Sequence, residues 1–214
     1  LFKRLPPVKS RTEGAGTSIT SVVPSLLGAT PAAYSFTRFR LRSRNQLALT
    51  VLLVRMAPGI SIVLPIFLLS ALIGILDTKL VLVLAYFSFN VPFAFWMLQG
   101  FFQQVPKAIE EAAFIDGCSR WQVLFRVTVP IVRSGLVATA ILCFIQAWNE
   151  FLFALFLTST QARTLPTTVM LFLGYEGVMW GQMSAAAGLT VAPVVLLAVM
   201  VRKQLVTGLT MGAV

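Results

Sequence analysis

Histidine is absent from the 214 residues, which removes the commonest general base and metal ligand at neutral pH. Cysteine occurs only at Cys118 and Cys143. One falls beside a polar loop and the other inside an apolar run, and both read as free thiols rather than a structural bridge. There is no Gly-x-x-x-x-Gly-Lys-Ser/Thr loop to cradle a nucleotide phosphate, no Cys/His cluster, no serine nucleophile elbow and no pair of acids at catalytic spacing. No internal repeat or low-complexity tract appears. The chain therefore reads as a non-enzyme that holds no cofactor or metal of its own. Charge is also scarce: 11% of residues are charged against 57% hydrophobic, and the mean hydropathy is +0.87. Such a balance excludes an ordinary soluble domain and describes an integral membrane chain.

What is there in quantity is apolar helix. The sequence predicts an all-α, polytopic transmembrane bundle with five spans. Thr17 to Phe36 is the weakest, broken by Pro24 and Pro31 and rich in Ser and Thr, so that it needs neighbours to be stable. Leu47 to Leu72 is strongly apolar, with Pro58-Gly59 and Pro65 as kink candidates. Leu80 to Gly100 carries Asn90-Val91-Pro92 at its middle, where proline frees a carbonyl and asparagine can bond across helices. Ser134 to Leu157 and Met183 to Val201 complete the set. Between the last two, 158–182 mixes Pro166 with Met170, Leu171, Phe172, Tyr175 and Trp180, and part of it is expected as a partly buried or interfacial helix.

The net charge of +10 is not a nucleic-acid signature, because the basic residues are sorted by side. Arg38, Arg40, Arg42 and Arg44 fall in one loop, Lys107, Arg120, Arg126 and Arg133 in the next loop on that side, and Arg202 and Lys203 in the tail. The two opposite loops hold only Lys79 and Arg163. By the positive-inside rule the basic side, with the carboxyl end, is cytoplasmic.

The cytoplasmic loop 101–133 has an internal grammar. Pro106 suits a first helical turn, Lys107 to Asp116 holds only helix-compatible residues, and Gly117 stands where a helix ends in the left-handed conformation. Ser119 and Gln122 form a Ser-x-x-Gln capping box for a second helix, expected to stop before Pro130. On the first helix Ala108, Ile109, Ala112 and Ala113 share a face, with Lys107, Glu110, Glu111 and Phe114 on another. A small-residue face lets another protein approach the backbone closely.

Glu111-Ala112-Ala113, Asp116-Gly117 and Val129-Pro130 resemble the "EAA" loop of membrane-spanning permease subunits in bacterial binding-protein-dependent ABC importers. The resemblance runs from about Tyr34 onward. Arg38-Phe39-Arg40, Arg55-Met56-Ala57-Pro58-Gly59, Trp148-Asn149-Glu150-Phe151 and the ending Gly208 to Val214 look like the carbohydrate branch, specifically the maltose-type second permease. Arg133-Ser134 departs from it, since the family often has a further proline there, and this bears on how the next helix begins. The resemblance implies the type I importer permease fold in the bacterial inner membrane. It also implies an ATPase dimer that uses the ATP, a second permease subunit, an extracytoplasmic solute-binding protein and surrounding lipid, with no nucleic acid. Glu111, Ala112, Ala113, Asp116, Gly117 and Pro130 would couple to the ATPase. The complete family fold has six spans, so residues 1–16, polar, basic and without an initial methionine, read as a truncated segment ahead of the transmembrane domain 17–214.

Polar residues inside spans need a reason. Asn149 and Glu150 either reach the outer interface or, with Trp148, shape a translocation path, for which an aromatic face beside amide and carboxylate groups suits a sugar. Asn90 is the fourth candidate for that path; it shares a face with Tyr86, where helix packing weighs ahead of ligand contact. Arg55 is expected to snorkel toward the cytoplasmic end. A non-sugar solute, or a secondary transporter driven by an ion gradient, is the alternative; Glu150 is the one intramembrane acid available to the latter.

Overall fold

The computed structural model describes residues 9–39, 42–174 and 177–210. Arg40, the first half of residues 1–16, Tyr175 and the last four residues of the carboxyl-terminal motif therefore lie outside the described residues. Helices α1 (Lys9–Arg38), α4 (Lys79–Gln103), α8 (Arg133–Asn149) and α11 (Trp180–Thr210) form the bundle. Its heart is the pairing of α1 with α4, with α8 packed on both and α11 on α8.

The Ser-rich composition of α1 is what permits that pairing. Ser18, Ser21, Ser25, Ala29 and Ala33 recur at three- and four-residue spacing and are all buried, a seam of small side chains against which a neighbouring backbone can lie closely. Their hydroxyls are satisfied within the helix: Ser21 donates to the Ser18 carbonyl and Ser25 to the Ser21 carbonyl, both at 2.7 Å. Pro24 and Pro31 are accommodated inside one 30-residue helix. α4 serves two cores. Its first half, with Leu82, Ala85 and Tyr86, packs with Val63, Phe153 and Leu157; its second, with Ala94, Phe95, Leu98 and Phe102, packs with Ala29, Ala33, Tyr34 and Cys143. Where α8 starts beside α4, Gly135 is obligatory, because a Cβ there would fall inside the Phe101 ring.

Two of the five expected spans, 47–72 and 134–157, are broken. α4 and the Trp180–Arg202 part of α11 are each long and apolar enough to cross a membrane. The 47–72 span is two helices, α2 (Arg44–Met56) and α3 (Gly59–Leu72), meeting at 85°; the break falls at Ala57-Pro58, one of the kink candidates, while Pro65 stays within α3. The 134–157 span is interrupted at Glu150-Phe151, leaving α9 (Leu152–Leu157) as a separate turn and a half. The helical segment Arg120–Ile131 and α8 meet at 81°, and counting each bent pair as one span brings the number to four. α1 is the fifth helix, long but less apolar, as its Ser and Thr content foretold.

The 158–182 segment holds a short helix, α10 (Leu165–Val169), a single 3-10 turn (Met170–Phe172) and a two-residue antiparallel hairpin, β1 (Leu173–Gly174) with β2 (Gly177–Val178). It is tied to the α3–α4 turn by Asp77, whose φ of 57° is left-handed. Its carboxylate accepts from the backbone N–H groups of Ser159, Thr160, Gln161 and Ala162 at 2.9–3.2 Å and from both the Ser159 and Thr160 hydroxyls. Partial burial opposes ionisation, but the Ser159, Gln161 and Thr160 N–H groups prevail and hold the carboxyl well below the usual carboxylate range.

Candidate functional site: the buried elbow and the broken-helix cavity

The polar elbow is built from α5 (Lys107–Ile115), α6 (Arg120–Gln122), a π-helical segment (Val123–Thr128) and α7 (Val129–Ile131). α5 ends in a Schellman motif: the Cys118 N–H reaches the Ala113 carbonyl at 3.0 Å and the Gly117 N–H the Phe114 carbonyl at 3.1 Å. Gly117 sits at φ +84° with open space around it, so glycine is required by backbone conformation and not by crowding. The capping box forms as expected, with the Ser119 N–H donating to Gln122 Oε1 at 2.7 Å and the Gln122 N–H to Ser119 Oγ at 3.4 Å.

The second helix does not stop before Pro130. It continues through it to Ile131, because the preceding turn widens into a π-helix. A tight α turn would press the proline ring against the Arg126 carbonyl, and the wider turn relieves that clash. Pro130 itself is exposed next to the 81° bend at Val132.

A second correction concerns Glu110. The helical wheel groups it with Lys107, Glu111 and Phe114, yet Glu110 is 4% exposed and shares the inner face of α5 with Ala113. Arg38 Nε donates to it at 2.9 Å, Tyr34 Oη at 3.3 Å and Thr128 Oγ1 at 3.1 Å. Arg38 Nη2 also reaches the Val105 carbonyl at 2.8 Å. One carboxylate thus joins the end of α1, α5 and the π-helix. Phe39, next to Arg38, lies under the Arg120 guanidinium at 4.8 Å, so both described members of the Arg38-Phe39-Arg40 motif serve to hold the elbow.

The outer side of the elbow is apolar. Ala108, Ile109, Ala112, Phe114, Ile115, Trp121 and Phe125 are exposed, Ile115 to 86%, with the Trp121 and Phe125 rings stacked at 5.9 Å. Glu111, Asp116 and Gly117 are exposed with them, while Ala113 faces inward. A 530 Å³ cleft between α1 and the elbow is lined by Glu111, Phe114 and Arg120 among others.

The residues expected along a path are divided by the structure. Asn149 and Glu150 line a cavity of 410 Å³ together with Arg55, Ser88, Phe89 and Gln146. Glu150 also caps α9, accepting from the Phe153 and Ala154 N–H groups at 2.9 and 3.1 Å. Trp148 points elsewhere: it is buried, stacked on Phe144, and its Nε1 donates to the Thr190 carbonyl of α11 at 2.9 Å. Asn90 is fully buried within the bundle and both its amide atoms lack a partner. Arg55 lies with its guanidinium 4.9 Å above the Phe93 ring, on the cavity. Sequence reasoning missed it as a cavity residue because its neighbours come from α4 and α8.

A helical membrane bundle with a docked polar elbow is the architecture of type I ABC importer permeases, and solved structures agree. A bacterial transporter involved in import of the acidic polysaccharide alginate superimposes with a TM-score of 0.73 at 21% identity, covering 91% of this chain and 73% of that one. The MetNI methionine ABC transporter in inward-facing form gives 0.73 at 17% identity, over 94% and 95%. Residues 24–210 match the model of the binding-protein-dependent transport system inner membrane component, and the chain belongs to that family. Similar proteins include a probable ABC transporter permease of Sinorhizobium fredii, 41% identical over 92% of this chain and 71% of that protein. The trehalose transport permease SugB of Mycobacterium tuberculosis is 39% identical over 92% and 72%, and the trehalose/maltose permease MalG of Thermococcus litoralis 39% over 85% and 66%. The chain is thus the multi-pass inner membrane component of a binding-protein-dependent ABC transporter, a non-catalytic subunit in a complex whose separate ATPase uses the ATP.

Proposed function

We propose that this chain is one of two permease subunits of a saccharide importer, and that its elbow is the cytoplasmic coupling piece on which one subunit of an ATPase dimer docks. The observation that carries this reading is the two-sided build of α5 and α6: an inner face bolted through Glu110, an outer face of small and apolar side chains left uncovered. Exposed apolar surface of this kind, rimmed by Glu111, Asp116 and Arg120, is what a partner covers. Nucleotide-driven closure of the ATPase pair then moves the elbow as a rigid body and reorients the helices attached to it. The second permease and lipid cover the apolar faces of α2, α3 and α11, and the binding protein meets the opposite side, where Asp77 fixes the loops. Asn149 and Glu150 line the path, with Trp148 and Asn90 supporting it from the packed side. The sugar class follows from the saccharides named for SugB and MalG.

The reading is tested on the reconstituted complex. Gly117→Val forces a β-branched residue into a left-handed conformation at the end of α5. Transport is expected to be lost while membrane insertion survives and the ATPase no longer co-purifies. Undiminished saccharide uptake by this variant would remove the coupling role.

A further inference from the structure

Two interruptions of helical backbone meet at one place. The α2–α3 break supplies Ala57 and Gly59 to the 410 Å³ cavity, the α8–α9 break supplies Asn149 and Glu150, and Pro92, inside the continuous helix α4, lines the third side. Non-helical backbone at membrane depth persists only where protein or a water-filled cavity satisfies it. Two helix ends open here as carboxyl termini. Ala57 and Glu150, the residues following α2 and α8, are both extended, with ψ of 132° and 123°, and Pro58 has no N–H. The final carbonyls of each helix therefore have no continuing turn to accept from, and two helix carboxyl ends, with their free acceptors and negative dipole ends, adjoin the cavity.

The remaining lining has the complementary character. Arg55, Gln146 and Asn149 bring N–H donors, Ser88 a hydroxyl, and Phe89 an aromatic face. Glu150 has part of its acceptor capacity taken by the Phe153 and Ala154 N–H groups. A bare cation meets Arg55; an anion meets two helix carboxyl ends and Glu150. A neutral molecule dense in hydroxyls satisfies every group, giving O–H to carbonyls and carboxylate, taking N–H from Arg55 and the amides, and laying its C–H face on Phe89.

We infer that this cavity, in this subunit, is a stopping site for a neutral polyhydroxylated solute in transit, with Arg55, Gln146 and Asn149 as its polar contacts. The inference rests on the saccharide-importer reading and adds where the solute pauses and which charge class passes.

The test uses the complete transporter with its binding protein in proteoliposomes and three radiolabelled probes: trehalose, a uronic-acid disaccharide and glycine betaine. Wild-type uptake decides the importer reading by itself, since failure to carry any saccharide sinks that reading. Given uptake of trehalose, Asn149→Leu and Arg55→Met are each expected to reduce its rate about tenfold, the loss of one or two polar contacts to the solute. ATPase co-purification is the control that reports assembly of the complex. Gln146→Glu, close in shape and one charge more negative, is the second variant, expected to slow trehalose less than Asn149→Leu does. Wild-type preference for the uronate overturns the neutral class, preference for glycine betaine, a zwitterion without hydroxyls, overturns the polyhydroxylated class, and unaltered trehalose uptake in both Asn149→Leu and Arg55→Met overturns the site.

Discussion

Glu110 shows how far a single carboxylate can set the geometry of a segment. It is buried, paired with Arg38 and bonded to Tyr34 and Thr128, so removing its charge leaves a guanidinium in a site shaped for an ion pair. Breaking a buried pair from one side costs about 3–5 kcal/mol. Glu110→Gln is accordingly expected to lower the thermal midpoint of the detergent-solubilised protein clearly, and Glu111→Gln, exposed one residue later, to leave it nearly unchanged. Scanning calorimetry or tryptophan fluorescence separates the two. Asp77 behaves differently because its partners are mainly backbone N–H groups. Its carboxyl is held below the ordinary range, so it binds protons less readily folded than unfolded, and its contribution is fully present above about pH 4. As pH falls below that value the unfolded chain takes up the proton first, and stability drains away until the folded carboxyl is protonated too. A stability profile from pH 6 to pH 3 should slope downward below about pH 4 in the wild type, and the slope should shrink in Asp77→Asn.

At the scale of elements, what was legible in the sequence was what is local. The carboxyl end of α5 and the start of α6 were readable because Gly117, Ser119 and Gln122 act within a few residues of themselves and each forms the cap its type implies, while Pro106 stands just before α5 and makes no side-chain cap bond. Ser119→Ala should therefore cost about 1 kcal/mol, visible as a small drop in thermal midpoint without loss of ATPase association. Glu110 was not readable, since its ion-pair partner lies 72 residues away; a helical wheel knows only neighbours. The passage of the helical segment 120–131 through Pro130 was missed for a related reason. Proline disfavours a regular α turn, and the sequence carries no local sign that a π turn precedes it. The break at Glu150-Phe151 was also hidden, because Phe151 to Leu157 is as apolar as any span; the carboxylate of Glu150, capping α9, is what restarts the helix. Gly135 gives this scale its sharpest test. A Cβ there meets the Phe101 ring, and overpacking of a tight helix contact costs typically about 1–3 kcal/mol or more. Gly135→Leu should reduce the yield of folded complex, with Phe101→Ala as a second-site change that restores part of it.

On the scale of the whole molecule, the proposed coupling requires a route by which motion at the elbow reaches the cavity. α5 is bonded through Glu110 to α1; α1 lies along α4 on its small-residue seam; α4 carries Ser88, Phe89 and Pro92 to the cavity wall. Each joint in this series is buried, and packed interiors pass on displacement because they resist compression. The Arg38–Glu110 joint is the one made of two charges, so it can be opened without changing the apolar packing on either side. In the reconstituted transporter, Arg38→Gln and Glu110→Gln are expected to keep the exposed docking face and hence ATPase association, while the number of solutes moved per ATP falls. Gly117→Val should instead lose association altogether. In a double-mutant cycle across Arg38 and Glu110, the paired change should lower the transport-to-ATPase ratio by less than the two single changes added together. Strict additivity in that ratio would mean the ion pair stabilises the fold but plays no part in passing the movement inward, and that α6 and the π-helix, packed on α5, carry it instead.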